Sequence, residues 1–148
     1  MKLHCYTTAL LALLLVACSA SQSGARADQQ AILTRMHATW DRPDSKLDAG
    51  PLVVEGDYAL ADWTQGQMGG RALLRRRHGQ WSTVLCAGDG IRDVEGLAAA
   101  GVPAAIAGRL ATRLAEAEKQ VPAERLAQMS AFMGVVQMDT EGTHGQHR

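Results

Sequence analysis

The stretch LVVEGDYALADWTQGQMGGRALLRRRHGQWSTVLC, residues 52–86, decides the fold of this chain. Short apolar runs alternate in it with turn-forming residues, a pattern typical of antiparallel strands joined by tight turns. Glu55-Gly56-Asp57 is the first predicted turn, and His78-Gly79, between two strand-like runs, suits a two-residue hairpin. The three glycines of Gln65–Gly70 predict a longer loop. The stretch therefore predicts an antiparallel meander of three to four strands.

A helix precedes this meander. Over residues 28–40, Ile32, Met36 and Trp40 recur at intervals of four and share one helical face, and Asp28 can cap the first turn. Residues 41–51 are polar and rich in turn formers, so they predict a loop.

Helical segments follow the meander. Asp93 is a candidate cap for the first, and Gly101 a candidate stop. Pro103 and Pro122 each begin a further segment, since proline is favoured in the first turn of a helix. Residues 134–138 read as a last strand that returns to the sheet. The expected fold is α+β: an N-terminal helix, an antiparallel meander, then C-terminal helices packed on one sheet face.

The N-terminal segment predicts export. Lys2 precedes the apolar run Ala9–Ala17, as in a signal peptide, and Leu15-Val16-Ala17-Cys18 resembles the lipobox of bacterial lipoproteins. That resemblance implies removal of residues 1–17, lipidation of Cys18 and a lipid anchor on the periplasmic side of the envelope, with the outer membrane favoured. Ala25-Arg26-Ala27 offers an alternative site, where cleavage would release a soluble periplasmic protein.

The remainder of the chain divides into three parts. The small polar residues 18–27 predict a flexible tether. We expect residues 28–138 to form a single domain. Residues 139–148 are expected to be a disordered tail that contains histidines. After processing, about 130 residues remain, enough for one domain with its own core.

Charge and cysteine content narrow the class of protein. The chain has 15 Lys and Arg against 15 Asp and Glu, which argues against nucleic acid as a partner. Cys5 lies in the predicted signal peptide and would be removed with it, and Cys18 is the predicted lipidation site. Cys86 is then the only thiol of the domain, so no intrachain disulfide is expected.

Sulfur and imidazole ligands suggest metal binding. Cys86 and Met68 could bind Cu(I), which favours thiolate and thioether sulfur. The tail residues His144 and His147 could bind Cu(II). Each has a plainer interpretation: Cys86 as a buried core residue, Met68 as a loop residue folded onto the core, and the two histidines as solvated tail.

Signs of an enzyme are few. The chain lacks the nucleophile-elbow, zinc-protease, P-loop and C-x-x-C motifs. Asp57, Asp62 and His78 could act as acid and base inside a cystatin-like pocket, but nothing in their spacing selects that role. We expect no enzymatic activity.

Three segments resemble a known family: residues 53–63, residues 69–76, with Gly-Gly-Arg-Ala-Leu-Leu, and residues 81–89, with Leu-Cys-Ala-Gly-Asp. They are similar to a small proteobacterial family labelled copper uptake system-associated proteins. The resemblance implies an exported accessory protein of copper uptake and homeostasis. Its partner would be a copper transporter or receptor component of the envelope. The alternative is a metal-free envelope scaffold, or a ligand-binding lipoprotein with a cystatin-like pocket.

Overall fold

A long helix opens the structure. The computed structural model describes residues 7–138, and their side chains from residue 22 onward. Helix α1 spans Thr7–Trp40. It begins well before the predicted start at Asp28 and runs through residues 18–27, which are helical here where we predicted a flexible tether. The segment contains three alanines and an arginine, residues that favour helix. Within the described residues, no helix combines the length and apolarity needed to cross a membrane.

Five antiparallel strands form one sheet in the order β1-β2-β3-β4-β5. The strands are β1 Asp48–Glu55, β2 Tyr58–Gln65, β3 Met68–Arg77, β4 Gln80–Ala87 and β5 Val135–Gln137. The predicted α+β class is confirmed, and so is the last strand within residues 134–138. The meander itself has four strands, and the fifth joins it after the C-terminal helices.

Two predicted loops are shorter than the sequence suggested. Only Gly66 and Gln67 separate β2 from β3, so Met68 begins a strand instead of lying in a loop. Residues 48–51, predicted as loop, belong to β1, which carries an irregularity between Ala49 and Leu52. In both places backbone pairing to β2 outweighs the turn propensity of the local sequence.

The His78-Gly79 turn is the predicted two-residue hairpin. His78 has φ 51° and Gly79 φ 77°, and positive φ at both central residues matches the right-handed twist of the strands.

The C-terminal helices follow β4. A 3₁₀ turn at Asp89–Ile91 leads into α2 Val94–Ala99, α3 Ala104–Glu118 and α4 Ala123–Ser130. Asp93 caps α2, as predicted, by accepting a hydrogen bond from the Gly96 N–H at 2.8 Å. Gly101 ends the segment with φ 85°.

Both faces of the sheet are covered. On one face α2 and α3 pack on the strands, with Leu97, Leu110 and Leu114 fully buried. On the other face α1 packs through Ile32 and Met36 against a second core that contains Cys86. The C-terminal helices thus cover one face, as expected, and the N-terminal helix covers the opposite one.

Candidate functional site

A cavity opens on the face of the sheet that α1 covers. Its volume is about 260 Å³. It is bounded by the end of α1, by β2, β3, β4 and β5, and by the segment after α4. Its lining is Trp40, Arg42, Leu47, Trp63, Gln65, Met68, Cys86, Phe132, Val136 and Met138. We call this cavity the sulfur pocket, because three of its lining residues carry sulfur.

Strand register places the three sulfur residues along the pocket. Cys86 pairs with Ala72 on β3 and with Val136 on β5. Met68 lies four residues before Ala72, about 13 Å along the strand, whereas Met138 lies two residues after Val136, about 7 Å along it. Met138 is therefore the nearer methionine to Cys86, and Met68 lies toward the far end of the pocket.

Exposure separates the same three residues. Cys86 is 4% exposed, Met138 37% and Met68 53%. The thiol thus lies at the base of the pocket, and the two thioethers lie where solvent reaches them. A soft ion or a small apolar molecule could enter past the methionines and reach the cysteine.

Burial controls the chemistry of the thiol. It raises the pKa of Cys86 to about 11, and the nearby Trp63 indole N–H lowers that pKa only in part. The thiol is therefore protonated at neutral pH and is a poor nucleophile. A metal ion could still bind it as thiolate, since coordination displaces the proton.

Aromatic side chains form much of the wall. Trp63 packs edge-to-face on Phe132, with ring centroids 5.9 Å apart. The Trp63 Nε1 is buried and has no partner in hydrogen-bond geometry among the described residues. This N–H lies near enough to the Cys86 thiol to lower its pKa, and a bound ligand with an acceptor atom could take its place as partner.

Two polar contacts hold the mouth of the pocket. Gln65 Nε2 donates to the carbonyl oxygens of Trp40 and Ser45, each at 2.8 Å. These bonds fix the end of α1 and the following loop onto β2. Trp40 is thereby positioned over the pocket by a side chain that is itself buried.

A buried charge cluster on the opposite face of the sheet supports the helices that close the pocket. Arg71 is fully buried, and it donates to Glu118 at 2.7 and 2.9 Å and to Asp89 at 2.8 Å. Ser130 donates to Asp89 at 2.8 Å. The cluster therefore joins β3, the 3₁₀ turn, α3 and the end of α4, from which Phe132 reaches the pocket.

Asp62 is the unusual member of this cluster. It is fully buried opposite Arg71, whose Nε lies 3.4 Å from the Asp62 carboxylate, yet neither carboxylate oxygen meets hydrogen-bond geometry with any residue that the structure describes. Burial raises the pKa of Asp62 to about 7, Arg71 opposes the shift, and Glu118 adds to it. Asp62 therefore binds a proton far more tightly than a solvent-exposed carboxyl does.

The predicted site residues divide into three groups. Cys86 and Met68 line one pocket, which spacing alone could not establish. His144 and His147 lie outside the described residues, and the Cys18 side chain lies outside the described side chains although its backbone belongs to α1. The described residues contain no cluster of three His, Cys, Asp or Glu side chains that could hold a metal, so a metal in the sulfur pocket would depend on methionine.

The three residues considered for acid–base chemistry serve other roles. Asp62 belongs to the buried cluster, and Asp57 accepts a hydrogen bond from Arg76 at 2.9 Å beside an exposed turn. His78 occupies the β3–β4 turn. No contact among the described residues brings the three together as a catalytic group.

Sequence reasoning left the role of Met138 undecided and missed Trp63 and the Arg71 cluster. Met138 could have been found from the predicted last strand, because residues of one parity on adjacent strands share a face. The cluster left a weaker signal in the sequence. Asp62 and Arg71 are charged residues, and each lies in the middle of an otherwise apolar run.

Comparison with known proteins gives no match: no protein-family model, no curated protein and no solved structure is similar to this chain at a significant level.

Proposed function

We propose that this chain is an exported accessory protein of copper handling that binds Cu(I) in the sulfur pocket, at the cell envelope. The observation that carries the proposal is that one cavity is lined by a buried thiol and two partly exposed thioethers. Soft sulfur ligands select Cu(I) over harder ions. The resemblance of residues 53–63, 69–76 and 81–89 to copper uptake system-associated proteins supports the same role.

Each ligand has a distinct part in this proposal. Cys86 supplies the thiolate and Met138, the nearer methionine, supplies a thioether. Met68, which is half exposed, takes the ion first and passes it inward. A single thiolate with thioethers suits transient binding for delivery to a transporter. The tail residues His144 and His147 would hold Cu(II).

Titration of the purified protein with Cu(I), in competition with a colorimetric chelator of known affinity, tests the proposal. We expect one Cu(I) per chain. Cys86→Ser should lower the affinity at least tenfold, and Met138→Leu should lower it by a smaller factor. Met133→Leu is the matched control, because Met133 is 88% exposed and does not line the pocket. Affinity that is unchanged by Cys86→Ser contradicts the site.

The pH dependence gives an independent check. Cys86 has a pKa of about 11 and must lose its proton on binding. Between pH 6 and 8 the apparent Cu(I) affinity should therefore rise about tenfold per pH unit. Met-only coordination would leave the affinity nearly independent of pH.

The second candidate is a metal-free lipoprotein that holds a small apolar ligand. It is favoured by the aromatic wall of Trp40, Trp63 and Phe132. An apolar fluorescent naphthylamine separates the two candidates. Tight binding of this probe, together with Cu(I) affinity no better than that of an ordinary thiol, would favour the apolar ligand.

A further inference from the structure

The methionines that the structure describes fall into two classes of exposure. Met36 and Met129 are buried in the core, whereas Met138, Met68 and Met133 are 37%, 53% and 88% exposed. A thioether reacts with a dissolved oxidant only where the oxidant reaches its sulfur atom. In the folded protein we therefore expect oxidation at the three exposed methionines and not at the two buried ones.

Two of the three exposed methionines belong to the sulfur pocket. Met68 and Met138 line it, and Met133 does not. Hydrogen bonds hold the backbone at both lining residues. Gln128 Nε2 donates to the Met68 carbonyl oxygen at 2.8 Å, and the Met138 N–H donates to the Val84 carbonyl oxygen at 2.8 Å. Both side chains therefore start from fixed positions, and a chemical change at either sulfur atom alters the pocket itself.

The thiol of the same pocket is shielded from solvent. Cys86 is buried in the core cluster that contains Met36 and Trp63. An oxidant that enters from solvent thus meets the exposed thioethers before it meets the thiol. This order is the reverse of that in proteins with exposed cysteines, where the thiolate is oxidised first.

We propose that Met68 and Met138 are the oxidation-sensitive residues of the sulfur pocket, and that hydrogen peroxide converts them to sulfoxides while Cys86 stays a thiol. In each step the thioether sulfur attacks one oxygen of the peroxide, so that an S–O bond forms and the O–O bond breaks. The sulfur is oxidised by two electrons and the peroxide is reduced. The proton on the transferred oxygen passes to the departing hydroxide, which leaves as water.

Oxidation changes what the pocket can bind. A sulfoxide is polar, and its oxygen is a harder ligand than the thioether sulfur that Cu(I) favours. The oxidised pocket should therefore hold Cu(I) through Cys86 alone, a consequence that rests on the proposed Cu(I) site. Methionine sulfoxide reductases reverse the modification. Copper binding is thus regulated by the oxidation state of the two thioethers.

Peptide mapping by mass spectrometry tests the modification in the absence of copper. The full chain is treated with graded amounts of hydrogen peroxide, and oxygen gain is measured at each residue. We expect the three exposed methionines to gain one oxygen each, while the two buried methionines and Cys86 remain unmodified as long as the protein is folded. Oxidation of Cys86 before Met68 and Met138 would overturn the proposal. So would equal rates at the lining and the buried methionines.

Cu(I) titration of the treated protein tests the consequence. The affinity should fall about tenfold, because both thioethers are lost as soft ligands. It should recover with methionine sulfoxide reductases and not with a thiol reductant. The double variant Met68→Leu/Met138→Leu should bind Cu(I) more weakly than the native chain, with an affinity that peroxide leaves unchanged. Met133→Leu is the matched control and should lose affinity on oxidation as the native chain does.

The two measurements separate this proposal from the proposed function. An untreated native chain without a Cu(I) site contradicts the proposed function, while the peptide map still decides which residues are oxidised first. A native chain that binds Cu(I) equally well after both lining methionines have become sulfoxides refutes the regulation and leaves the Cys86 site standing.

Discussion

At the residue scale, Asp62 links the stability of the protein to pH. The pKa of its carboxyl is about 7 in the folded protein, against an ordinary value of 3.8. The folded state therefore binds a proton that the unfolded state releases between these values. The resulting stabilisation is fully present below about pH 4 and is lost as the pH rises through 7.

The variant Asp62→Asn tests this dependence, because asparagine stays neutral at every pH. Between pH 5 and 8 we expect the unfolding free energy of the native protein to fall relative to that of Asp62→Asn. The relative slope should be on the order of 1 kcal/mol per pH unit at its steepest. Urea unfolding at a series of pH values measures it. Asp44→Asn, at an exposed loop position, is the control and should leave the profile unchanged.

The sequence was informative about some of these residues and silent about others. It identified Cys86 and Met68 as residues whose sulfur atoms could bind a soft metal ion, because the residue type alone determines which ligand atom is present. It could not show that they line one cavity, since this depends on how Trp63 and Phe132 pack between strands. Nor could it show that Asp62 is fully buried beside Arg71, because strand register and the position of α3 decide its surroundings.

At the element scale, the β2–β3 hairpin shows why a glycine-rich segment need not be a loop. Gly69 and Gly70 lie in β3, where they make room for other parts of the fold. A Cβ on Gly70 would lie 3.1 Å from the Ala87 carbonyl oxygen, from the Trp63 ring and from the Phe132 ring. Turn propensity predicted a loop, but the absence of a Cβ at Gly70 lets the Trp63 and Phe132 rings pack closely against β3 and form part of the pocket wall.

Gly70→Ala should therefore destabilise the protein by about 1–3 kcal/mol, because the carbonyl and two packed rings must all move. Gly108→Ala is the matched control. Gly108 lies inside α3, and nothing is within 4 Å of the position its Cβ would occupy. That change should stabilise the protein by roughly 0.5–1 kcal/mol. Thermal unfolding of the two variants measures both effects, and equal shifts would contradict the packing role of Gly70.

The turns at Glu55-Gly56-Asp57 and His78-Gly79, the Asp93 cap and the Gly101 stop followed local chemical rules and could be predicted from the sequence, whereas the short β2–β3 turn could not. The start of α1 and the length of β1 could not, since pairing and helix propagation extend both beyond their local signals. The division of helices between the two faces of the sheet was likewise outside what periodicity specifies. Periodicity shows that an element has an apolar face, but not which surface that face covers.

At the scale of the whole molecule, the domain is joined to its N-terminal segment through α1. Asp28 is an early contact between this helix and the sheet: its carboxylate accepts from Arg76 at 2.6 Å and from Trp81 at 3.2 Å. Ile32 and Met36 then fill the core beneath it. Both candidate processing sites, before Cys18 and after Ala27, precede these contacts. Either cleavage would leave them in the domain, so the two routes differ in the anchor and not in the fold.

Expression in a Gram-negative host with radiolabelled palmitate distinguishes the two routes. If Cys18 is lipidated, the native chain incorporates label and fractionates with membranes, while Cys18→Ala loses both the label and the membrane association. Cys5→Ala is the control, because Cys5 lies in the predicted signal peptide and its loss should change neither. A native chain without label whose mature form begins at Asp28 would establish cleavage after Ala27. In both cases the mature protein should unfold in one cooperative transition, because the contacts of Asp28, Ile32 and Met36 are retained.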